Sequence, residues 1–180
     1  MTILAFPKIA TARLILRTPT ISDADAVYTE YAQDPDVTRY LSWKPHQRIE
    51  TVEAFLSESL SSQDKGNRWI WAITVRGSDR VVGMIDARVA DHQLNCGYVL
   101  AKRCWGNGFM PEGLLPIIDW GLSQSQIHRA WAFCDVENRA SARVLEKVGM
   151  QKEGTLRRWF VHPNVSNVPR DCFAYSRVKE

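Results

Sequence analysis

The chain has 180 residues, 45% of them hydrophobic and 24% charged, with a formal net charge of +3. This composition suits a single globular domain over residues 1–180, with enough chain to bury a sizeable core. It argues against a nucleic-acid partner, because no run of about five or six basic residues is present, and against a membrane helix, because no apolar run approaches ~18 residues.

The four cysteines, Cys96, Cys104, Cys134 and Cys172, stand singly without CxxC spacing. Free thiols in a reducing cytoplasm are the expectation, with no metal site and no disulfide framework. Residues 1–8 lack a basic stretch followed by a long apolar one, so no signal peptide is expected. No repeat, low-complexity tract or linker interrupts the chain.

In chain order, Arg13-Leu14-Ile15-Leu16-Arg17 reads as a short strand. Capping residues in 20–25, with Ser22 as N-cap, start a helix towards Tyr31, and Asp34-Pro35-Asp36 breaks it. Residues 42–46 read as a loop. An amphipathic helix over 49–61 turns Val52, Phe55, Leu56 and Leu60 inward. Strands over 69–75 and 80–88 flank a hairpin turn at Gly77-Ser78-Asp79, and another strand covers 94–100. A helix over 111–123 carries Pro111 in its first turn, where the missing N–H costs nothing. A strand at 129–134 precedes a helix at 139–148 that Gly149 closes. Strands at 150–158 and 170–177 end the chain. The class is α/β with a sheet as its core.

The most informative segment runs from Tyr98 to Glu112, out of a strand, through a loop with Gly106 and Gly108 two apart, into a helix. Such glycines permit a concave turn whose N–H groups converge on one spot. The positive end of the following helix adds to it. A diphosphate suits that spot, with Arg103 as a charge-assisted partner; an ordinary strand–helix turn is the plain alternative.

Arg103-x-x-Gly106-x-Gly108 resembles the acetyl-CoA pyrophosphate loop of the GNAT N-acetyltransferases. Trp105-Gly106-x-Gly108 followed by Glu112 is similar to their RimJ/RimL-like branch. Gly97-Tyr98-Val99-Leu100, Asn138-x-x-Ser141 with residues 144–150, Glu153-Gly154 and Arg170-Asp171 extend the resemblance over nearly the whole chain. It implies the GNAT fold, a twisted mixed sheet with helices on both faces, whose two central parallel strands splay apart around pantetheine. It implies cofactor contacts from Tyr98, Val99, Leu100, Arg103, Cys104, Trp105, Gly106, Asn107, Gly108, Phe109, Met110, Asn138 and Ser141. Val99 and Leu100 would offer backbone groups, one N–H stabilising a developing oxyanion.

The implied reaction moves an acetyl group from the cosubstrate acetyl-CoA to a primary amine by direct attack in a ternary complex. The acceptor would be a protein N-terminus or a small amine. A thiolate is a fair leaving group, so one modest proton donor suffices. Many relatives place a tyrosine where this chain has Leu145; Ser141 is the substitute, and Asn138 orients pantetheine. Both also fit a plain helix cap. No general base is identified, because a glutamate of relatives is Asn95 here. Asp86, Asp91, His92 and His46 read as surface groups, and water can relay the proton. Glu112 suits the helix dipole. Cys134 as a covalent nucleophile competes, but no histidine stands beside it.

Among the seven tryptophans, Trp69, Trp71, Trp120 and Trp131 are assigned to the core, while the family resemblance implies that Trp43 and Trp159 line the acceptor cleft. Arg157 and Arg158 read as a solvated pair or a greeting for an acidic acceptor. Arg143 and Lys147 read as phosphate contacts or solvent-facing helix. A catalytically silent acyl-CoA-binding module, a sensor or docking unit, is the alternative function. No membrane or nucleic-acid partner is expected, and the protein would be a monomer or homodimer.

Overall fold

The structure, a computed structural model, describes residues 8–63 and 66–180; most of the segment read for a signal peptide, residues 1–7, lies outside them. Eight strands form one sheet: β1 (Ile9–Ala10), β2 (Leu14–Arg17), β3 (Arg68–Val75), β4 (Val81–Ala90), β5 (Gln93–Leu100), β6 (Arg129–Asp135), β7 (Gln151–Phe160) and β8 (Arg170–Val178). Their spatial order is β1-β2-β3-β4-β5-β6-β8-β7. Every neighbouring pair is antiparallel except β5 with β6, which is parallel. A parallel neighbour needs a long crossover, and the helix α4 (Phe109–Ser123) supplies it.

The helices α1 (Ala24–Val27), α2 (Pro35–Thr38), α3 (Ile49–Gln63) and α5 (Arg139–Lys147) complete the fold. β3 is buried on both faces from Trp69 to Thr74. Trp69 and Trp71 point to α4, where both meet the edge of Trp120 at 5.5 and 5.6 Å. Ile70 and Ala72 point the other way and are covered by α1 and α3, which pack on β4 and β3. Among the described residues no helix is long and apolar enough to cross a membrane.

The parallel pair positions the site. β5 and β6 pair only at Gln93↔Arg129, Leu94↔Ala130 and Asn95↔Trp131. Beyond that β5 follows β4 to Gly83↔Leu100, and β6 follows β8 to Asp135↔Cys172. The two strands therefore diverge through the second half of each, and the sheet opens there.

Three local expectations need correction. Ser22 is not the first cap: the Asp23 carboxylate accepts from the Thr20 N–H at 2.7 Å, and Arg17 holds the same carboxylate at 2.8 Å. The ion pair draws Asp23 back onto Thr20, so the turn begins two residues early. The helix that follows passes from 3-10 through α into one π turn at Tyr28–Ala32. Phe55 is 36% exposed, because the inward stripe of α3 runs through Val52, Leu56 and Ser59 and leaves Phe55 to one side. Trp131 is only half-buried on the face of the sheet opposite α4, because the divergence of β5 and β6 leaves that face without a helix.

Candidate active site

The turn between β5 and α4 is built as the two glycines demand. Gly106 and Gly108 have φ of 77° and 74°, a region that costs glycine least. Asn107 donates its Nδ2 to the carbonyls of Cys104 and Trp105 at 3.3 and 3.1 Å. With those carbonyls tied down, the N–H groups of Gly106, Asn107 and Gly108 make no backbone hydrogen bond among the described residues. Gly108 caps α4 without a side-chain bond, so the Phe109 and Met110 N–H groups extend the same row of donors. A Cβ built on Gly106 meets nothing within 4 Å. The space above the turn is open, and the donors facing it fit a phosphate group.

At the other end of the opening, Asn138 caps α5, its Oδ1 accepting from the Ser141 N–H at 3.1 Å. The Ser141 hydroxyl faces back across the gap to Tyr98 on β5, with 2.7 Å between the two oxygens. Tyr98 also lies 3.3 Å from the Ser141 carbonyl. Burial pushes the Tyr98 hydroxyl above its ordinary range, so it stays protonated at neutral pH. Burial pushes the Cys134 thiol up to about 11, and the influence of the same serine hydroxyl only partly offsets it. A buried, protonated thiol is a poor nucleophile.

The remaining sequence candidates scatter. Arg103 turns away from the glycine turn and donates Nε to Glu30 at 2.6 Å, a contact that raises it further. Cys104 and Met110 are buried, so only their backbone can face a ligand. Trp105 donates Nε1 to the Leu100 carbonyl at 2.8 Å and ties the loop to the end of β5. Trp43 stacks on His46 at 4.9 Å, while Trp159 is 48% exposed and edge-on to Phe133 at 6.1 Å.

Of the polar candidates, Asp86 is held by Arg68 and Arg88 at 3.0 and 2.7 Å. His46 bonds Thr51 at 2.9 Å, Asp91 stands in the β4–β5 turn, and His92 neighbours His128. Arg158 has a φ of 51°, held by its N–H bond to Asp171 at 2.9 Å. Glu112 accepts from Thr11 at 2.6 Å and from the Arg13 N–H at 2.8 Å. Burial pushes its carboxyl up, but these bonds outweigh that and hold it below the usual range. It thus clasps the start of α4 to β2, beyond any dipole effect.

Four contacts of the site were invisible in the local sequence. Arg13 lies over the Phe109 ring at 4.7 Å and stands 3.6 Å from where a Gly108 Cβ would be, a second cation beside the turn. Gly83 on β4 leaves room for the end of β5, because a Cβ there would stand 2.5 Å from the Val99 carbonyl. Tyr98 reaches Ser141 although 43 residues separate them. Buried Asp135 accepts from the Glu137 N–H at 2.9 Å and from Arg170 at 2.6 Å, setting the turn into α5. No periodicity or motif signals such pairings; the arginines and aspartates alone give no partner.

The family profile described as Acetyltransferase (GNAT) domain matches residues 13–151. The uncharacterized N-acetyltransferase YoaA of Bacillus subtilis is 33% identical over 179 residues, 97% of this chain and 98% of the relative. The crystal structure of a GNAT-family acetyltransferase from Bacillus anthracis superposes with a TM-score of 0.83 at 25% identity, covering 96% of this chain and 98% of that one. RimL, a ribosomal L7/L12 alpha-N-protein acetyltransferase solved with coenzyme A, shares the fold with a TM-score of 0.82 at 18% identity, covering 94% and 96%.

Proposed function

The chain belongs to the GNAT acetyltransferase family, and from that premise we propose that it moves an acetyl group from acetyl-CoA to a primary amine by direct attack in a ternary complex. The observation that carries this reading is the Tyr98–Ser141 hydroxyl pair, 2.7 Å apart, standing in the gap between diverging β5 and β6 with the open Gly106–Gly108 turn nearby. Residues 1–180 act as one domain, and four unpaired, buried cysteines suit a reducing cytoplasm.

When bound, acetyl-CoA supplies an activated acyl carbon. The N–H row of Gly106, Asn107, Gly108, Phe109 and Met110 takes the diphosphate. Arg103 and Arg13 stand by with charge, Arg103 only if it shares itself with Glu30. Val99, Leu100 and the free amide nitrogen of Asn138 hold the pantetheine arm, as the family resemblance implies. Tyr98 donates to Ser141 Oγ and leaves the serine hydrogen for the departing sulfur. A serine donor suffices because a thiolate leaves readily. The amine arrives from the face opposite α4 and α5 and gives its proton to water in that open groove. RimL acts on a protein N-terminus, and the same acceptor type is open to this chain.

Direct transfer is favoured over an acyl-enzyme because Cys134 is buried, its thiol pushed up to about 11. Incubation with labelled acetyl-CoA and no acceptor, followed by intact-protein mass measurement, should show no acetyl adduct. Initial rates with amine should give intersecting double-reciprocal lines. An adduct on Cys134 that passes to amine at the turnover rate would replace this mechanism. Acetyl-CoA binding without CoA release across a broad amine panel would identify a silent binding module instead.

A further inference from the structure

We propose that the acceptor is a primary amine carrying an aromatic ring, received on the face of β5 and β6 opposite α4, with its nitrogen over Gly97 and its ring against Trp131. This rests on acetyl transfer through the gap and adds the substrate class.

Gly97 has no structural reason to be glycine. It lies in the interior of β5, where glycine weakens a strand. The β4–β5 register runs without a bulge from Gly83↔Leu100 to Ala90↔Gln93, placing Gly97 opposite Asp86. Its φ is not positive, and a Cβ built there meets nothing within 4 Å. Gly83 and Gly108, by contrast, have a close neighbour or a left-handed φ. What remains for Gly97 is the close approach of a ligand, at the point where β5 leaves β6.

The wall beside that bare floor is aromatic. Trp131 pairs with Asn95 and shares its face; Phe133 follows two residues on, 6.3 Å from Trp131. Trp159 closes on Phe133 at 80° and is 48% exposed. Arg88, Ala90, Asp91, Gln93, Asn95 and Trp131 line a depression of about 310 Å³, room enough for one ring. Along β5, Gly97 and Asn95 are two residues or about 7 Å apart, the reach of an arylethylamine from nitrogen to ring. On the opposite bank Arg68 and Arg88 share the carboxylate of Asp86, and Asp91 on the rim of the depression offsets the second cation.

The test is CoA release at saturating acetyl-CoA with 2-phenylethylamine and tryptamine, set against n-octylamine and spermidine. The aromatic amines should show kcat/KM at least about 10-fold above the others, the discrimination one apolar contact surface can supply. Trp131→Ala should bring the aromatic amines down to the n-octylamine level, and Trp159→Ala, at an exposed site, should reduce them less. Gly97→Val should suppress all acceptors. All three variants should keep the thermal shift with acetyl-CoA. Equal or faster turnover of n-octylamine or spermidine overturns the aromatic inference and leaves acetyl transfer standing, as does an intact preference in Trp131→Ala. No CoA release with these four amines overturns the aromatic inference, and no release with them or with a peptide carrying a free N-terminus overturns both.

Discussion

Two helices begin at the same opening in the sheet and solve the same problem in opposite ways. Each first turn leaves N–H groups without intrahelical partners. At α5 the side-chain Oδ1 of Asn138 takes the Ser141 N–H at 3.1 Å and its backbone carbonyl takes the Ala142 N–H, so the cap is closed. At α4 the cap is Gly108 in the left-handed region, with no side chain to accept anything. One helix start spends its cap oxygens on its own donors and displays a hydroxyl; the other leaves its first donors without a cap. On the proposed reading the difference divides the work, with charge held at α4 and a proton handled at α5.

The strongest way to break the comparison is to close the α4 end. Gly106→Val should abolish acetyl-CoA stabilisation, worth about 2.7 kcal/mol at a ligand concentration 100 times Kd. Valine also strains a φ of 77°, so Gly106→Asn is the companion, since asparagine tolerates that conformation while filling the cradle. Both variants should lose the thermal shift, and the asparagine one should melt near wild type without ligand. A full shift in Gly106→Asn would show that the diphosphate sits elsewhere.

At the α5 end the effect should fall on rate instead of binding. Ser141→Ala should lower kcat about 10- to 100-fold with acetyl-CoA affinity little changed, since the bond forms as the thiolate develops. Wild-type kcat, with chemistry shown to limit the rate, would reduce Ser141 to part of a helix cap. Tyr98→Phe sharpens the point, removing one neutral hydrogen bond worth about 0.5–1.5 kcal/mol and so costing about 2- to 10-fold in kcat. Its effect should vanish in a Ser141→Ala background, because the tyrosine acts through the serine. Additive losses would mean two independent roles.

The smallest effect tests the cap itself. Asn138→Ala should cost about 1 kcal/mol of stability, a fall of about 2–4 °C in melting temperature for a chain of this size. Because the amide nitrogen of Asn138 is also assigned to the pantetheine arm, KM for acetyl-CoA should rise as well. Asn138→Asp separates the two, keeping the capping oxygen while removing the amide. Wild-type KM in Asn138→Asp would leave Asn138 with the cap alone.

Much of this was legible along the chain, and the reason is range. Gly106 and Gly108 need their φ whatever surrounds them, and a helix start after them follows from a few neighbouring residues. Asn138 caps Ser141 three positions on, inside the reach of a local motif. The same holds for the order of the longer strands and helices, down to shifts of a residue or two at their ends, but not for β1 or for α2, which starts at the Pro35 read as a breaker. Short-range conformational preference wrote these features, so the amino-acid sequence alone determined them.

Tertiary structure decided the rest, because partners come from packing. Arg103, expected on the diphosphate, has Glu30 for a partner 73 residues away, and Glu112, expected to serve only the helix dipole, is clasped by Arg13 across 99 residues. Tyr98 meets Ser141 only because β5 and β6 part after three pairs. That same divergence keeps a helix off the face of Trp131, so an apolar residue that reads as core stands half-open beside Gly97. Apolarity says that a side chain would gain from burial, but which face of a sheet is covered depends on where the helices land.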